Sequence, residues 1–392
     1  MKITIVGIGM GNAGTLTLGG KEAIENANLL VGAKRLIEIF PEKMSEPEIY
    51  SDKIFEIIKK NNELDNIVVI MSGDTGFYSG ATKLLGLLKD YDVKVIPGIS
   101  SMQYMASKIG RPWQDAKLVS AHGVECNILA EIMKTKETFF LTGGSVTPTD
   151  IIDELNEFGL KDAYVYVGER LSYEDEKIFK GTPQELKVMT FASLSVVWVI
   201  RKDFSKEHKY RGGISDEAFI RGKVPMTKQE IRSSIIAALK VNDDDVIYDI
   251  GAGTGSVGIE IATMNTSTKV YAIETNPEGI ELIDKNREKF SAYNLKIVGG
   301  KAPLAMENLP APDRAFIGGS KGNLKEIVEL LRTKNPDVKI VLSAIALETL
   351  NEAMEVLEDI DITSISIAKA KEIGKYHMMT GQNPIYIIST RG

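Results

Sequence analysis

The sequence contains little of the chemistry on which disulfide-bonded, zinc-binding or membrane-spanning proteins depend. It has one cysteine, Cys126, so it cannot form a disulfide within itself, and this usage is typical of a reducing cytoplasm. The three histidines, His122, His208 and His377, form no zinc-type spacing with that cysteine, so we expect no bound metal. No apolar run approaches the ~20 residues of a membrane-spanning helix, and the first residues are typical of a strand rather than a signal peptide.

Excess positive charge is also missing. The 47 lysines and arginines are outnumbered by 54 aspartates and glutamates, which gives a formal net charge of −7. Because binding to a nucleic-acid backbone depends on clustered basic side chains, this balance argues against a nucleic-acid partner. The length of 392 residues and the hydrophobic fraction of 43% predict a globular protein with two domains. The single cysteine favours a cytoplasmic location.

A polar segment between residues 203 and 213 marks the best boundary between the two predicted domains. It follows an apolar, strand-like run and ends in the pair Gly212-Gly213. We therefore predict a first domain over 1–203, a linker over 204–211 and a second domain over 212–392.

Both predicted domains alternate strands with helices, which indicates α/β architecture. In the first domain, strands are expected at 3–6, 67–71, 93–96, 138–141, 163–167 and 195–200. Helices are expected there at 16–27, at 80–88 and within 143–156, where Thr149 is the predicted N-cap. In the second domain, strands are expected at 246–250, 269–274, 295–298, 314–317, 339–343, 362–368 and 384–389, and helices at 256–264, 278–290, 323–332 and 347–357. Seven strands separated by helices predict a doubly wound sheet, which binds ligands at the carboxyl ends of its strands.

Two glycine-rich loops, each after a strand-like run, predict two ligand sites. The second loop, D-I-G-A-G-T-G from Asp249 to Gly255, is followed by an acid at Glu274, 23 positions after Gly251. Such a carboxylate accepts hydrogen bonds from the ribose hydroxyls of NAD and of S-adenosylmethionine alike. The spacing G-x-G-x-G, rather than G-x-G-x-x-G, favours S-adenosylmethionine. So does Asp249, since it would repel a pyrophosphate and can accept a hydrogen bond from an amino group.

Further motifs around this loop carry a resemblance to a known family. They are P-M-T-K-Q-E-I-R at 225–232, G-K-A-P at 300–303 and G-G-S at 318–320. Together with the loop and Glu274 they resemble the methyltransferases of the cobalamin pathway that act on C15 of precorrin-6B and remove the carboxyl of its C12 acetate. The resemblance implies a seven-stranded, Rossmann-like class I methyltransferase domain in which S-adenosylmethionine contacts Thr227, Gly251, Ala252, Gly253, Thr254, Gly255, Glu274 and Ala302. Lys301 stands where that family usually has aspartate, which implies that backbone groups recognise the adenine.

The first glycine loop, I-T-I-V-G-I-G-M-G over 3–11, has no acidic residue at the end of a second strand and so differs from a nucleotide-binding Rossmann unit. Three more turns follow strand-like runs: S-G-D-T-G-F-Y-S at 72–79, P-G-I-S-S at 97–101 and T-G-G at 142–144. This series resembles the tetrapyrrole methylases (class III methyltransferases), which include uroporphyrinogen-III and other precorrin methyltransferases. It implies cofactor contacts from Ser72, Gly73, Asp74, Phe77, Ser100, Ser101 and Thr142, with the loop at 7–11 bordering the cleft and the tetrapyrrole.

The two resemblances together are those of the bifunctional precorrin C5,15-methyltransferases (decarboxylating). They imply S-adenosylmethionine as cofactor, a corrin-precursor tetrapyrrole as substrate, and a homo-oligomer. They also imply that the first domain methylates C5, while the second methylates C15 and decarboxylates the C12 acetate. No strong acid–base group emerges, and the candidates for catalysis or for binding substrate carboxylates are His122, Arg232, Lys321 and His377. The alternatives are an RNA methyltransferase, a non-catalytic protein that binds S-adenosylmethionine or tetrapyrrole, and a dehydrogenase.

Overall fold

The computed structural model describes residues 1–122, 126–144, 146–161, 163–202, 204 and 212–391. The chain divides into two compact units. Unit 1 contains Met1–Cys126, Glu137–Asp153 and Asp162–Lys202, and unit 2 contains Asn127–Lys136, Glu154–Lys161 and Asp203–Gly392. The predicted boundary at residues 203–212 did not anticipate that two short segments before residue 203 belong to unit 2. Apart from Phe204, the predicted linker at 204–211 lies outside the described residues.

The N-terminal sheet of unit 1 has five strands in the order β3-β2-β4-β1-β5, all parallel. Its elements are β1 (Lys2–Gly7), α1 (Leu18–Glu25), β2 (Leu29–Gly32), α2 (Lys34–Ile37), β3 (Ser45–Pro47), α3 (Ser51–Lys60), β4 (Asn66–Met71), α4 (Ala81–Leu87) and β5 (Val93–Ile96). Strands β1, β2 and β4 are buried almost throughout, as expected for the centre of a parallel sheet with both faces covered. The loops after β1, β2, β4 and β5 therefore share one edge.

The other sheet of unit 1 is mixed and follows the order β6-β7-β10-β8-β9. The elements of this part of the chain are α5 (Ser101–Ile109), β6 (Lys117–Ser120), α6 (Ile128–Met133), β7 (Glu137–Leu141), α7 (Pro148–Glu157), β8 (Ala163–Glu169), β9 (Lys177–Gly181), α8 (Pro183–Leu186) and β10 (Ser195–Arg201). Trp198 is fully buried on β10, and its indole nitrogen donates a hydrogen bond to Glu137 (3.0 Å). This satisfies the one polar atom of the largest core side chain.

Helix α7 begins at Pro148, one residue before the predicted N-cap Thr149, which corrects that assignment. The hydroxyl of Thr147 accepts a hydrogen bond from the Asp150 N–H (3.3 Å), and the Asp150 carboxylate accepts one from the Thr147 N–H (2.7 Å). This reciprocal pair closes the helix start, and Thr149 lies within the first turn. The expected apolar face is buried, since Ile151, Ile152 and Leu155 are at most 1% exposed.

Unit 2 contains the predicted seven-stranded, Rossmann-like sheet, in the order β13-β12-β11-β14-β15-β19-β16. Its elements are α9 (Gln229–Leu239), β11 (Val246–Ile250), α10 (Ser256–Met264), β12 (Lys269–Glu274), α11 (Pro277–Phe290), β13 (Leu295–Gly299), β14 (Arg314–Ile317), α12 (Leu324–Lys334), β15 (Lys339–Ala344), α13 (Leu347–Val356), β16 (Ile360–Ile365), β17 (Ala368–Ile373), β18 (Tyr376–Gly381) and β19 (Ile385–Thr390). Strands β11 to β15 are parallel, whereas β19 runs antiparallel to both neighbours. The expected α/β class is confirmed.

The C-terminal strands differ from the prediction in one feature. The strand expected at 362–368 ends at Ile365, and the chain then forms a separate antiparallel hairpin from β17 and β18, exposed along its whole length. The hairpin leaves the sheet between β16 and β19, at the edge where the carboxyl ends of the parallel strands lie. In the part of the chain that the structure describes, no helix is both long and apolar enough to cross a bilayer.

Candidate active sites

In unit 2, a cavity of about 280 Å³ opens at the carboxyl ends of β11, β12 and β14. The walls are the loops that follow these strands and β13, together with part of the segment that precedes α9. The lining residues are Val224, Pro225, Thr227, Ile250, Gly251, Ala252, Gly253, Ile273, Glu274, Thr275, Asn276, Gly300, Lys301, Ala302, Gly318, Gly319, Ser320 and Lys321. The cavity therefore lies where a doubly wound sheet binds its ligands.

The second glycine loop forms one wall of this cavity with its backbone. Gly251 and Gly253 have φ values of +74° and +60°, a region that side-chain-bearing residues rarely adopt. A Cβ on Gly251 would lie 2.8 Å from the carbonyl oxygen of Gly319, and one on Gly253 would lie 2.8 Å from that of Pro225. Glycine is thus required because three backbone segments meet here.

Glu274 ends β12 and holds this loop in place. One carboxylate oxygen accepts a hydrogen bond from the Gly253 N–H (2.7 Å), and the other accepts from the N–H groups of Thr275 (2.7 Å) and Asn276 (2.8 Å). The side chain is largely buried but lines the cavity. Its carboxylate therefore organises the loop and also presents negative charge to a ligand.

Asp249, by contrast, lies behind the loop and does not line the cavity. Its carboxylate is 1% exposed and accepts a hydrogen bond from the Gly258 N–H in α10 (2.9 Å). Burial, with a further contribution from the charge of Glu274, raises the pKa of Asp249 to about 7. The idea that Asp249 accepts from a cofactor amino group is corrected, because its side chain is directed to a helix.

Arg232 also proves to be a buried structural residue. Its guanidinium is fully buried and donates to the carboxylates of Glu260 (2.6 Å) and Asp216 (3.3 Å), to the carbonyl of Thr227 (2.7 Å) and to that of Ile214. The expectation that Arg232 binds a substrate carboxylate is therefore wrong, since no part of it reaches the cavity. Its hydrogen bond to the Thr227 carbonyl instead holds in place the segment before α9, whose residue Thr227 lines the cavity.

The remaining predicted residues of unit 2 divide into two groups. Ala302 and Lys321 line the cavity, as does Lys301 in place of the family's aspartate, and the Lys321 ammonium donates to the Thr275 hydroxyl. Thr254 is buried, Gly255 forms the N-cap of α10, and His377 lies on the exposed hairpin strand β18. Thus Thr254, Gly255 and His377 are not among the residues that line the cavity.

In unit 1, a second cavity of about 540 Å³ is lined mainly by the loops after β4 and β7, the start of α5 and the segment before β10. The lining residues are Met10, Arg35, Ser72, Gly73, Phe77, Tyr78, Ser101, His122, Leu141, Thr142, Gly143, Gly144, Gly168, Leu171, Tyr173, Ser193, Leu194, Ser195 and Val196. The cavity of unit 1 has the volume typical of a small-molecule site, and the cavity of unit 2 is slightly smaller than that range. Within the described ranges, no cluster of three or more histidine, cysteine, aspartate or glutamate side chains could hold a metal ion.

Five of the seven cofactor contacts predicted for the first domain line this cavity: Ser72, Gly73, Phe77, Ser101 and Thr142. The other two support it from behind. Asp74 accepts hydrogen bonds from the N–H groups of Gly98 (3.0 Å) and Gly76 (2.9 Å), so it joins the loops after β4 and β5. Ser100 is buried as the N-cap of α5, in a reciprocal pair with Gln103. The candidate His122 lines the cavity.

The first glycine loop is shaped by the packing of strand ends. A Cβ on Gly7 would lie 2.7 Å from the carbonyl oxygen of Gly73 and 2.7 Å from the nitrogen of Gly98, so the chains after β1, β4 and β5 meet without side chains. Beyond Gly7, Met10 contributes to the cavity wall. The loop therefore borders the cavity through Met10, and its glycines serve mainly to bring the strand ends together.

Two residues that sequence reasoning missed stand out at this cavity. Arg35, the second residue of α2, donates to the hydroxyls of Tyr173 (2.8 Å) and Ser72 (3.3 Å). Tyr173 lies in the turn after β8, far from Arg35 in sequence. No short motif links Arg35 to Tyr173, and the local sequence shows only a pair of cations, Lys34 and Arg35, after the short apolar run that ends at Ala33.

Comparisons with known proteins match the two parts of the chain to two different family models. Residues 2–187 match the model of the tetrapyrrole (corrin/porphyrin) methylases, and residues 217–391 match that of the precorrin methyltransferase domain. The chain is 39% identical over 184 residues to a "Probable cobalt-precorrin-6B C(15)-methyltransferase (decarboxylating)" of Pyrobaculum calidifontis, in an alignment that covers 45% of this chain and 94% of that protein. This chain belongs to the precorrin methyltransferases.

Another relative spans both parts of this precorrin methyltransferase. It is a precorrin-6Y C(5,15)-methyltransferase [decarboxylating] from a Sinorhizobium species, 26% identical over 341 residues, with 84% of this chain and 82% of the relative covered. Among solved structures, a precorrin-6Y C5,15-methyltransferase from Geobacter metallireducens is 40% identical, with 45% of this chain and 95% of that chain covered and a TM-score of 0.43. The two family models and the relative that spans both parts show that the chain is an enzyme of methyl transfer built from two methylase parts.

Proposed function

We propose that this precorrin methyltransferase transfers methyl groups from S-adenosylmethionine to C5 and C15 of precorrin-6B, or of its cobalt form, and decarboxylates the C12 acetate. The observation that carries the proposal is the presence of two separate cavities, one in each unit, each bordered by a glycine loop. The two parts of the chain match two different methylase models, and the relative that spans both is described as a C5,15 enzyme. These findings favour a precorrin C5,15-methyltransferase over an RNA methyltransferase, a non-catalytic binding protein or a dehydrogenase.

We assign the two reactions to different parts of the chain. The domain at 1–203 methylates C5, and the domain at 212–392 methylates C15 and removes the carboxyl group. Support for the second assignment comes from the relative described as a C15 enzyme, whose alignment covers only 45% of this chain but nearly all of that protein. The second part of this chain therefore aligns with nearly the whole length of that C15 enzyme, which has no counterpart of the first domain in the alignment.

The cavity of unit 2 fits an adenosyl cofactor. The glycine loop offers bare backbone, and a Cβ on Gly319 would meet nothing within 4 Å, so a small side chain there would occupy the cavity. Glu274 supplies a carboxylate for hydroxyl groups, and Ile250, Ile273 and Ala302 supply apolar surface. Thr227, Gly251, Ala252 and Gly253 would complete the cofactor site.

The cavity of unit 1 fits the same group by different means. Gly73 has a φ of +70° and free space around its missing Cβ, so backbone is accessible there. Ser72, Ser101 and Thr142 supply hydroxyls, and Phe77 supplies an aromatic surface. The Thr142 hydroxyl already donates to the Ser195 carbonyl (2.6 Å), which leaves its oxygen available as an acceptor.

S-adenosylmethionine supplies an electrophilic methyl group, and each transfer forms a carbon–carbon bond while the sulfur keeps the electron pair of the bond that breaks. The reduced macrocycle supplies nucleophilic carbons, so the protein contributes orientation and exclusion of water more than base strength. The lining of unit 2 is consistent with this division. Among its described residues the one carboxylate is that of Glu274, and backbone N–H groups already occupy it.

Substrate carboxylates would meet two cations at the cavity of unit 2. Lys301 and Lys321 both line it and belong to the loops after β13 and β14. We propose that they attract the acetate and propionate groups of the macrocycle. His122 and His377 remain candidates for substrate contact, the first because it lines the cavity of unit 1.

We also propose that the enzyme is cytoplasmic and assembles as a homo-oligomer. The exposed hairpin of β17 and β18 supports assembly, since Tyr376, Met378 and Met379 are more than half exposed on it. Sedimentation of the purified chain tests this directly: a mass above that of one chain is expected, and a monomer at micromolar concentration would contradict it.

The test of the proposed function is incubation of the full chain with precorrin-6B and S-adenosylmethionine, followed by mass spectrometry of the product. We expect a gain of two methyl groups and a loss of one CO2. Binding of both ligands without turnover would indicate a sensor, and methyl transfer to RNA with none to the tetrapyrrole would support that alternative. Either result would contradict the proposal.

A further inference from the structure

The charge of the unit 1 cavity is distinctive. Arg35 is the one arginine or lysine among its described lining residues, and none of them is an aspartate or a glutamate. Arg35 forms its hydrogen bonds to two hydroxyls, which accept N–H groups but do not neutralise a positive charge. The wall therefore presents a guanidinium without a carboxylate among the residues around the cavity.

The strand arrangement explains how this guanidinium reaches the cavity. Strand β2 pairs with β4 in parallel, with Gly32 opposite Ile70, so α2 begins beside the loop that follows β4. Arg35 and Ser72 come from these neighbouring ends, and the Nη2 atom of Arg35 lies 3.3 Å from the Ser72 hydroxyl oxygen. Nη1 lies 2.8 Å from the hydroxyl oxygen of Tyr173. Two of the five N–H donors of the guanidinium are thus engaged, and the others are available to a ligand.

The turn that carries Tyr173 is itself held firmly. Ser172 adopts a φ of +73°, which is unfavourable for a residue with a side chain. Three hydrogen bonds hold it there: its N–H donates to Glu176 (2.6 Å), its hydroxyl donates to the Met10 carbonyl (3.0 Å), and its carbonyl accepts from the Asn12 side chain (2.7 Å). Tyr173 therefore offers Arg35 a fixed partner, and little ordering remains to be done when a ligand binds.

We propose that Arg35 is a specificity-determining residue that binds a peripheral carboxylate of the tetrapyrrole and orients the macrocycle in the unit 1 cavity. The planar guanidinium suits a carboxylate because it can donate two parallel hydrogen bonds, which a lysine cannot do. This inference rests on the proposed C5 methylation. The amino-acid carboxylate of S-adenosylmethionine has the same chemistry, and the experiment distinguishes the two sources.

The test compares Arg35→Gln with wild-type protein, both as full chains, in steady-state assays that quantify C5 and C15 methylation separately by NMR with [methyl-13C]S-adenosylmethionine. We expect the KM for the tetrapyrrole in C5 methylation to rise about 10- to 100-fold, the loss typical of a charge-assisted pair. The KM for S-adenosylmethionine should remain within about twofold of wild type. Arg35→Lys should recover part of the loss, because it restores the charge without the fork.

Lys34→Gln is the matched control, since it removes the same charge one residue away. Lys34 is exposed, pairs only weakly with Glu38 (4.0 Å) and does not line the cavity. A similar loss in this control, or none in Arg35→Gln, would overturn the assignment. A rise in the KM for S-adenosylmethionine instead would assign Arg35 to the cofactor carboxylate and refute the substrate contact.

A binding measurement keeps the inference separate from the proposed function. An octacarboxylate porphyrin and its methyl ester are titrated into both proteins, and we expect Arg35→Gln to weaken binding of the acid about tenfold or more but not that of the ester. If wild-type protein fails to methylate C5 yet shows this difference, the proposed reaction fails and the carboxylate site stands. Equal affinity of both proteins for the acid, or no binding to wild type, overturns the site.

Discussion

The buried carboxylate of Asp249 gives unit 2 a pH-dependent stability that one substitution should remove. Burial beneath the glycine loop raises its pKa from 3.8 to about 7, which is about 3 pH units. At about 1.36 kcal/mol per unit, ionisation of the folded protein costs about 4 kcal/mol more than that of the unfolded chain. This is an upper value, because the folded structure can relax around the charge.

The sign follows from proton binding. Between about pH 4 and pH 7 the folded protein retains a proton on Asp249 that the unfolded chain has released, so stability falls as pH rises through this window. Asp249→Asn cannot ionise, and its side-chain carbonyl can still accept from the Gly258 N–H. The variant should therefore gain stability over wild type progressively from pH 4 to pH 7, by up to about 4 kcal/mol, and by a constant amount above pH 7.

Hydrogen exchange of peptides from β11 and α10, measured at several pH values in urea, reports the stability of unit 2 without assuming that the whole chain unfolds in one step. Asp337→Asn, at an exposed position in the same unit, is the control and should follow wild type. Parallel profiles for Asp249→Asn and wild type would refute the reasoning. So would a variant whose advantage shrinks as the pH rises.

Two further predictions concern stability. Arg232→Met removes the guanidinium that pairs with the buried carboxylates of Glu260 and Asp216, and it should destabilise unit 2 by about 3–5 kcal/mol. Lys228→Met removes a partly exposed ion pair with Asp216 and should destabilise unit 2 by less than about 1 kcal/mol. Equal losses in denaturant titrations would contradict the central role of Arg232. Thr147→Ala removes the N-cap hydrogen bond of α7 and should lower the free energy of unfolding by about 1 kcal/mol. Thr149→Ala should change it by less than about 0.5 kcal/mol. A larger loss for Thr149→Ala than for Thr147→Ala in thermal unfolding would support Thr149 as the N-cap.

The sequence predicted the regular parts of the fold well because their hydrophobic patterns were strong. Buried runs such as 246–250 and 195–200 could hardly be anything but central strands. The missed strands include β2 and β6, which have four residues each, β3, which has three and ends in Pro47, and β9, a partly exposed edge strand with two lysines. Such strands form because a neighbouring strand offers pairing, a tertiary effect that a local pattern does not contain.

The candidate sites were predicted in outline, and the errors have a common physical cause. Motifs identified which loops come together but not which side of a loop faces the ligand. Asp74, Asp249 and Ser100 lie in the predicted loops, yet their side chains bond to backbone behind the cavity. Arg35 was missed for the opposite reason, since it belongs to no motif and reaches the cavity only because β2 pairs with β4.

The central claim is that each unit has its own methyl-transfer site. Two single-site variants of the full chain test it. Glu274→Gln places an amide NH2 group where the carboxylate accepts hydrogen bonds from backbone N–H groups. Each backbone N–H that loses its acceptor destabilises the loop by about 1–3 kcal/mol, so the variant should disable the site of unit 2. Ser101→Trp places a large side chain in the lining of the unit 1 cavity and should disable that site. The unchanged unit in each variant serves as the internal control for folding.

The most direct measurement is the position of label in the product when these variants act on precorrin-6B with [methyl-13C]S-adenosylmethionine. Glu274→Gln should lose the label at C15 and retain the C12 acetate carboxyl, and Ser101→Trp should lose the label at C5. If the two methylations occur in an obligatory order, the variant that blocks the first methylation loses the label at both C5 and C15. Neither variant is expected to lose only the label that the unchanged unit transfers. A Glu274→Gln enzyme that labels C15 but not C5, or a Ser101→Trp enzyme that labels C5 but not C15, would contradict the account.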